Sequence, residues 1–189
     1  KYLDSGKLYV AKFNADGSGS WVELALSHPL IAGYAAYTFA DQADVLVNAR
    51  LAADAVGASK MDRPEWCAVH PGTGEIYYTL TNNSNRKLEP NASQQGLDAA
   101  NPRSYRDAYG GGALGSAGNI NGHIIRMAET GGAGSATSFT WDVYLFGAQS
   151  DASTTLVNLS GLTGDQDFSS PDGLWFGSAT QLCWIQTDD

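Results

Sequence analysis

Short runs of apolar and β-branched residues, separated by glycine-rich polar turns, recur along most of the chain. Residues 7–13 and 21–24 form one such pair, and the loop between them carries an Asp-Gly turn signal at Asp16 and Gly17. The same pattern predicts further strands at 66–69, 76–80, 123–127, 139–146, 174–176 and 182–186. Many short strands joined by tight turns indicate an all-β fold.

One segment departs from this pattern. In residues 41–56 the apolar positions recur at helical spacing, Asp41 stands where a helix N-cap is expected, and Gly57 follows the last apolar residue. We therefore predict one helix inserted into the β fold. The polar stretch at 82–122 is longer than an ordinary connection, and we expect its part from residue 100 onward to cover one end of the fold.

Two parts of the sequence repeat each other. Residues 64–69 and 171–176 both run proline, carboxylate, then a short apolar strand, and the following strands 75–83 and 181–189 also correspond. Four antiparallel strands in each repeat are typical of a β-propeller blade, and a propeller needs at least about four blades to close. The chain is thus expected to hold the outer half of one blade, a full blade and the inner half of the next. We predict a partial β-propeller of about two blades, in which residues 1–189 form an incomplete segment of a single domain.

Composition narrows the classes of function. Hydrophobic residues make up 43% and charged residues 16%, enough for a packed core, and the formal net charge is −9. This charge argues against a partner that is a nucleic acid or an anionic membrane. It favours a chain that collects cations. The sequence also lacks an apolar run long enough to span a membrane and a signal peptide, and both ends look cut.

The two cysteines, Cys67 and Cys183, each lie in an apolar strand pattern. Cysteine is among the most frequently buried residues, so we expect two core thiols. The sequence contains no Cys-x-x-Cys pair, so we do not expect a structural zinc site.

Charged residues gather where the repeated inner strands begin. Such starts converge near the channel mouth of a propeller, so Glu65 and Asp172 are expected to face a shared site. Carboxylates gathered together repel one another unless a cation holds them, and hard oxygen ligands suit Ca²⁺, Mg²⁺ or ferric iron. Arg63 lies on the same face of an extended segment as Glu65, and its planar fork can grip a phosphate. The alternative is a surface ion pair between Arg63 and Glu65, with Asp172 capping a Pro-Asp-Gly turn.

Several stretches together resemble the PhoX family of secreted bacterial alkaline phosphatases. They are residues 39–54, 61–83 with its Arg-Pro-Glu-Trp motif, 122–126, 170–176 with its Ser-Pro-Asp-Gly motif, and 184–188. The resemblance implies a β-propeller enzyme that hydrolyses phosphate monoesters with bound iron and calcium, Fe³⁺ and Ca²⁺, and without a covalent protein nucleophile. It also implies export to the periplasm or the exterior.

The same resemblance implies roles for individual residues. Arg63 holds the substrate phosphate, Glu65 is a metal ligand, and Asp172 is a further ligand, of calcium. Asn82 and Asn83 end the partner strand and are possible residues of the site rim, although strand-end capping accounts for them equally well. His123 is a further rim candidate, as a metal ligand or a polar rim residue.

The sequence departs from the family pattern in three respects. Family members run well beyond 189 residues, the 176–180 turn lacks an expected aspartate, and Cys67 and Cys183 replace other residue types. We therefore expect the rest of the metal shell to lie in the remaining blades of the same parent chain or in oligomer partners.

Two other functions stay open at this stage. One is a calcium-dependent propeller hydrolase of the lactonase or gluconolactonase kind, which also places carboxylates and asparagines around a channel. The other is a non-catalytic propeller segment. An arginine beside metal-binding carboxylates favours a small phosphomonoester substrate over a lactone.

Overall fold

A computed structural model of the chain describes residues 6–106, 115 and 117–188. This part contains ten strands: β1 Tyr9–Phe13, β2 Ser18–Glu23, β3 Pro64–Val69, β4 Ile76–Leu80, β5 Arg86–Lys87, β6 Gln95–Gly96, β7 His123–Glu129, β8 Ser138–Phe146, β9 Pro171–Phe176 and β10 Cys183–Thr187. The helices are α1 Pro29–Ala32, α2 Gln42–Val47 and α3 Ala49–Val56, with a short 3₁₀ turn at Thr130–Gly132. The predicted predominance of strands is confirmed.

The centre of the fold is a four-stranded antiparallel unit. β3 pairs with β4, β4 with β7, and β7 with β8, in the order expected for one propeller blade. β9 and β10 form a separate antiparallel pair, and β9 packs against β3 and β4. The inner half of a second blade thus follows the full blade, as the repeat predicted.

The first hairpin lies elsewhere than the repeat suggested. β2 pairs with the start of β8, so β1 and β2 extend the full blade to six strands in the order β1-β2-β8-β7-β4-β3. The expectation that this hairpin forms the outer half of a preceding blade is therefore wrong. A Cβ atom on Gly19 would come within 2.0 Å of the Phe139 ring, so glycine is what allows β2 to approach β8.

The predicted helix exists but is interrupted. The Asp41 side chain accepts a hydrogen bond from the Asp44 N–H at 2.8 Å, and Gly57 ends α3 with a φ of 69°, as expected. At Asn48 the backbone leaves helical geometry, and the side-chain amide donates to the Asp44 carbonyl and carboxylate in addition to the backbone N–H bond to that carbonyl. The short helix α1 was missed because four residues are too few to show a period.

Strand β4 uses its two faces differently. On one face Tyr77 packs with Ile124, Leu174 and Phe176, which joins the full blade to β9. On the other, Leu80 packs with Ile125 and Ala100. The two blades therefore meet along β4.

A separate apolar cluster joins the first hairpin to the helices and is built on Leu24, Ile31, Phe39, Val45, Ala52 and Val56.

One face of the inner strands is uncovered. Trp66, Trp175 and Trp184 are 53%, 65% and 63% exposed, and we call these three residues the tryptophan face. Cys67 on β3 is exposed as well, and Cys183 is half-buried. The prediction of two core thiols is therefore wrong, because within the described residues β3 is an edge strand with solvent beside it.

None of the helices in the described ranges has the length and apolar character that a membrane span requires.

The polar stretch after β4 contains β5 and β6, and several of its polar side chains are buried, among them Arg86 and Arg103. Residues 107–114 and 116, part of the segment expected to cover one end of the fold, lie outside the described residues.

Candidate active site

Arg63 is held in an unusual backbone conformation immediately before β3. Its φ is 51°, in the left-handed region. Two backbone hydrogen bonds fix it there: its N–H donates to the Met61 carbonyl, and its carbonyl accepts from the Thr81 N–H, both at 3.1 Å. The conformation directs the side chain to the surface, where it is half exposed.

The Arg63 guanidinium is oriented by an amide and flanked by carboxylates. Nη1 donates to the Asn82 Oδ1 at 2.9 Å. Nη2 lies 3.9 Å from a Glu65 carboxylate oxygen and 4.0 Å from one of Asp188. Both contacts are longer than a hydrogen bond and are partly exposed, so they contribute little to stability. They leave Nη2 able to donate to an incoming anion.

The segment that carries Asp172 is tied to the segment that carries Glu65. Thr79 is buried in β4, accepts a hydrogen bond from the Trp66 N–H at 2.9 Å and donates to the Asp172 carbonyl at 2.7 Å. Thr81, also buried, donates to the Pro171 carbonyl at 3.1 Å. Thr79 in β4 thus contacts both inner strands, and Thr81, directly after β4, adds a second bond to the start of β9.

A further tie joins Arg63 to the second blade through Asn82. The Asn82 amide nitrogen donates to the Ser170 hydroxyl at 3.3 Å, while its oxygen accepts from Arg63. The Ser170 carbonyl accepts from the Asp188 N–H at 3.0 Å. One asparagine therefore sets the guanidinium relative to the start of β9.

Asn83 lies in a different, interior network. Its amide donates to Asp62 Oδ1 at 2.7 Å and to Gln95 Oε1 at 2.6 Å. The same Asp62 oxygen accepts from Arg86 Nε at 2.9 Å, and both charged side chains are fully buried. Asn83 thus supports the fold behind the site, and none of its side-chain hydrogen bonds in the described structure reaches Arg63.

His123 lies inside the fold rather than at the rim where we expected it. The ring is fully buried, and Nε2 is 2.7 Å from the Ala100 carbonyl, so Nε2 carries the proton. Nδ1 then accepts from the Asn119 amide at 2.9 Å. Burial and the nearby Arg103 charge lower the His123 pKa to about 3, so the ring is neutral. With both nitrogens engaged, this arrangement offers no ligand to a metal.

The residues fit a hard cation in chemical type but not in number. Glu65 and Asp172 supply carboxylate oxygens, which calcium and ferric ions accept, and Asp188 lies nearby beside Arg63. Within the described ranges, no group of three or more His, Cys, Asp or Glu residues is placed to hold a metal ion. These carboxylates can therefore provide only part of a coordination shell.

Sequence reasoning missed Asp188, Ser170 and the two threonines. The repeat did contain a signal for one of them, since it aligns Asp188 with Asn82, and both contact Arg63. The bridges made by Thr79 and Thr81 join residues about half the chain apart, and no local pattern predicts them.

Comparisons with known proteins test the family resemblance of the sequence. The family model described as alkaline phosphatase PhoX matches residues 1–189. A solved structure of Pseudomonas fluorescens PhoX in complex with vanadate, a transition state analogue, is similar to this chain, with 36% sequence identity and a TM-score of 0.79. The similarity covers 98% of this chain and 30% of that one. The search of curated proteins found no match. The chain belongs to the PhoX alkaline phosphatase family.

Proposed function

We propose that the full-length protein containing this chain is an alkaline phosphatase, a metal-dependent hydrolase that releases inorganic phosphate from small phosphate monoesters. The observation that carries the proposal is the Arg63 guanidinium, oriented by Asn82 at 2.9 Å beside the Glu65 carboxylate. The family description and the vanadate complex of the similar structure support the same chemistry.

Arg63 binds the phosphoryl group of the substrate. Nη2 and the exposed edge of the guanidinium donate to two non-bridging oxygens, a bidentate contact that a lysine cannot reproduce. The charge on these oxygens shifts during phosphoryl transfer, and a fixed cation next to them stabilises the transition state. Asn82 keeps the guanidinium from turning away between catalytic cycles.

Glu65 and Asp172 hold part of the metal cluster, with Ca²⁺ and Fe³⁺ as the expected ions. When bound, the metals supply Lewis-acid chemistry and lower the pKa of a bound water. The two carboxylates also disfavour phosphate binding while no metal is present, because they carry charge of the same sign as the phosphate.

The chain is one segment of a longer, single β-propeller domain. The similar structure extends far beyond the region that this chain covers, and the tryptophan face leaves three large apolar side chains in solvent. Exposed apolar surface of this kind marks a contact that the remaining blades of the same polypeptide make. Those blades supply the missing metal ligands. The protein acts in the periplasm or outside the cell, the location that its family resemblance implies.

The test is hydrolysis of p-nitrophenyl phosphate by the full-length protein, before and after chelation, with metal content measured in parallel. Chelation should abolish activity, and calcium with iron should restore it. Glu65→Gln should lower both metal content and activity, whereas Glu89→Gln, a change at an exposed loop carboxylate, should alter neither.

Two results would contradict the proposal. A protein that hydrolyses a lactone and leaves p-nitrophenyl phosphate intact is a lactonase-like hydrolase. A protein that binds no metal and hydrolyses neither substrate is a non-catalytic propeller.

A further inference from the structure

Within the part of the chain that the structure describes, Thr79 contacts peptide groups at both candidate metal ligands. Its hydroxyl accepts from the Trp66 N–H, the peptide directly after Glu65, at 2.9 Å. It donates to the Asp172 carbonyl at 2.7 Å. The Trp66 carbonyl lies farther away, at 3.3 Å, so the single hydroxyl proton is better used toward Asp172.

These two bonds connect different blades. Trp66 belongs to β3 and Asp172 to β9, and the two strands are not paired with each other in a sheet. The Thr79 side chain is fully buried, so water cannot take over either bond when the hydroxyl is removed. Movement of β9 relative to β3 at this point must therefore break a buried hydrogen bond.

We propose that Thr79 is a positioning residue that sets the placement of Asp172 relative to Glu65 and thereby the affinity of the site for metal. The inference rests on the proposed function, since it assigns these carboxylates to one cluster. Chelating oxygens bind a cation tightly only when their spacing is fixed beforehand, because binding otherwise has to order them.

Thr81 makes a second contact with β9, two residues after Thr79 and next to Arg63. Its hydroxyl donates to the Pro171 carbonyl, and its N–H donates to the Arg63 carbonyl. Thr79 lies in β4 and Thr81 directly follows its last residue. Alternate residues of an extended segment point to the same face, so the two side chains form successive bridges to β9. Loss of one bridge leaves the other in place, which makes single substitutions informative.

The experiment compares Thr79→Val with Thr79→Ser in the full-length, metal-stripped protein. Valine keeps the shape and removes the hydroxyl, whereas serine keeps the hydroxyl. Thr140→Val, at an exposed position of β8, is the matched control. Calcium affinity is measured by titration calorimetry, unfolding temperature without metal by calorimetry, and kcat and KM with p-nitrophenyl phosphate.

We expect Thr79→Val to weaken calcium binding at least tenfold and to lower kcat by a similar factor. Thr79→Ser should stay within threefold of the unchanged protein, and Thr140→Val should match it. If Thr79→Val lowers the unfolding temperature but leaves calcium affinity within twofold, Thr79 is only structural and the proposal is wrong.

Two further comparisons keep the result decisive. Should Thr79→Val fail to fold, Thr79→Ala removes the same hydroxyl without the branched side chain, and a calcium affinity within twofold of the unchanged protein overturns the proposal, while a tenfold or greater loss supports it. An unchanged protein that binds calcium without hydrolysing the phosphate ester contradicts the proposed function alone, and the ratio of calcium affinities still decides the role of Thr79.

Discussion

Arg63 and Ser170, which occupy equivalent positions in the two repeat units, both adopt the left-handed backbone conformation, with φ values of 51° and 50°. Each precedes a proline at the start of an inner strand. The left-handed conformation costs a non-glycine residue about 1–2 kcal/mol, and it is retained only where the surrounding structure fixes it. The repeat therefore reproduces a backbone turn as well as a sequence motif. This turn sets the direction of the residues that begin each inner strand.

Replacement of Arg63 by lysine should lower kcat/KM for p-nitrophenyl phosphate about a hundredfold, because an ammonium group provides charge without the planar pair of donors. Steady-state kinetics of the full-length protein measure the change. Arg50→Lys, on the exposed side of α3, serves as the control and should leave kcat/KM unchanged. Equal rates for the Arg63 variant and the unchanged protein would show that Arg63 does not contact the phosphoryl group.

Gln181 offers a test of backbone strain away from the chemistry. It is exposed and has a φ of 57°, so Gln181→Gly should raise the free energy of unfolding by about 0.5–1 kcal/mol through relief of a left-handed conformation. Gln166→Gly is the matched control at an exposed turn without a positive φ, and it should destabilise the protein. Urea denaturation measures both, and a loss of stability in Gln181→Gly would contradict the interpretation.

Because His123 is buried in its neutral form, the free energy of unfolding should fall as the pH is lowered. Its native pKa of about 3 lies below the value of about 6.5 expected in an unfolded chain, so the unfolded state takes up the proton first. The stabilising contribution is complete above pH 6.5 and is lost as the pH falls toward 3, by about 1.4 kcal/mol per pH unit. Arg103, Arg86 and Asp98 are the charged groups that act on the ring, and the two arginines lower its pKa further.

Urea denaturation between pH 8 and pH 5 tests this expectation. His123→Gln keeps a donor for the Ala100 carbonyl and an acceptor for the Asn119 amide but does not titrate. The stability of the variant should fall less steeply below pH 6.5, and the difference between the two proteins should be constant above pH 7.5. Parallel curves throughout would mean that His123 is protonated equally in both states.

The Asp62–Arg86 pair should be the most sensitive ionic contact of the described structure. Arg86→Met leaves a fully buried carboxylate without its cation and should cost about 3–5 kcal/mol. Lys60→Met removes an exposed partner of Asp54 and should cost less than about 1 kcal/mol. Chemical denaturation distinguishes them, and similar losses for both would show that water reaches the Asp62–Arg86 pair.

Local patterns predicted the elements well and their assembly less well. The Asp-Gly hairpin, the cap at Asp41 and the stop at Gly57 follow from residues adjacent in sequence. The attachment of β2 to β8 depends on a glycine that meets Phe139 far along the chain, and no periodicity records such a contact. The same limit explains Cys67, whose apolar neighbours suggested a core strand although one side of β3 is uncovered in the described structure.

The candidate site shows the same division. The repeat drew attention to Arg63, Glu65 and Asp172, whose roles stay predictions. His123 looked like a rim residue because a strand begins there, but its two hydrogen bonds to Ala100 and Asn119 place it in the interior. Polar side chains that bond buried peptide groups are of the same residue types as those that face solvent. Only their hydrogen-bond partners distinguish them, and these are not visible in the sequence.

The tryptophan face gives the molecule an optical signal of its own. Three of the five tryptophans belong to it, and Trp21 and Trp141 are partly buried elsewhere. Indole emission shifts to shorter wavelength when solvent is removed, so the fluorescence of this chain responds mainly to whatever covers β3, β9 and β10. The packing of any structure onto this face can thus be followed in real time without an attached dye.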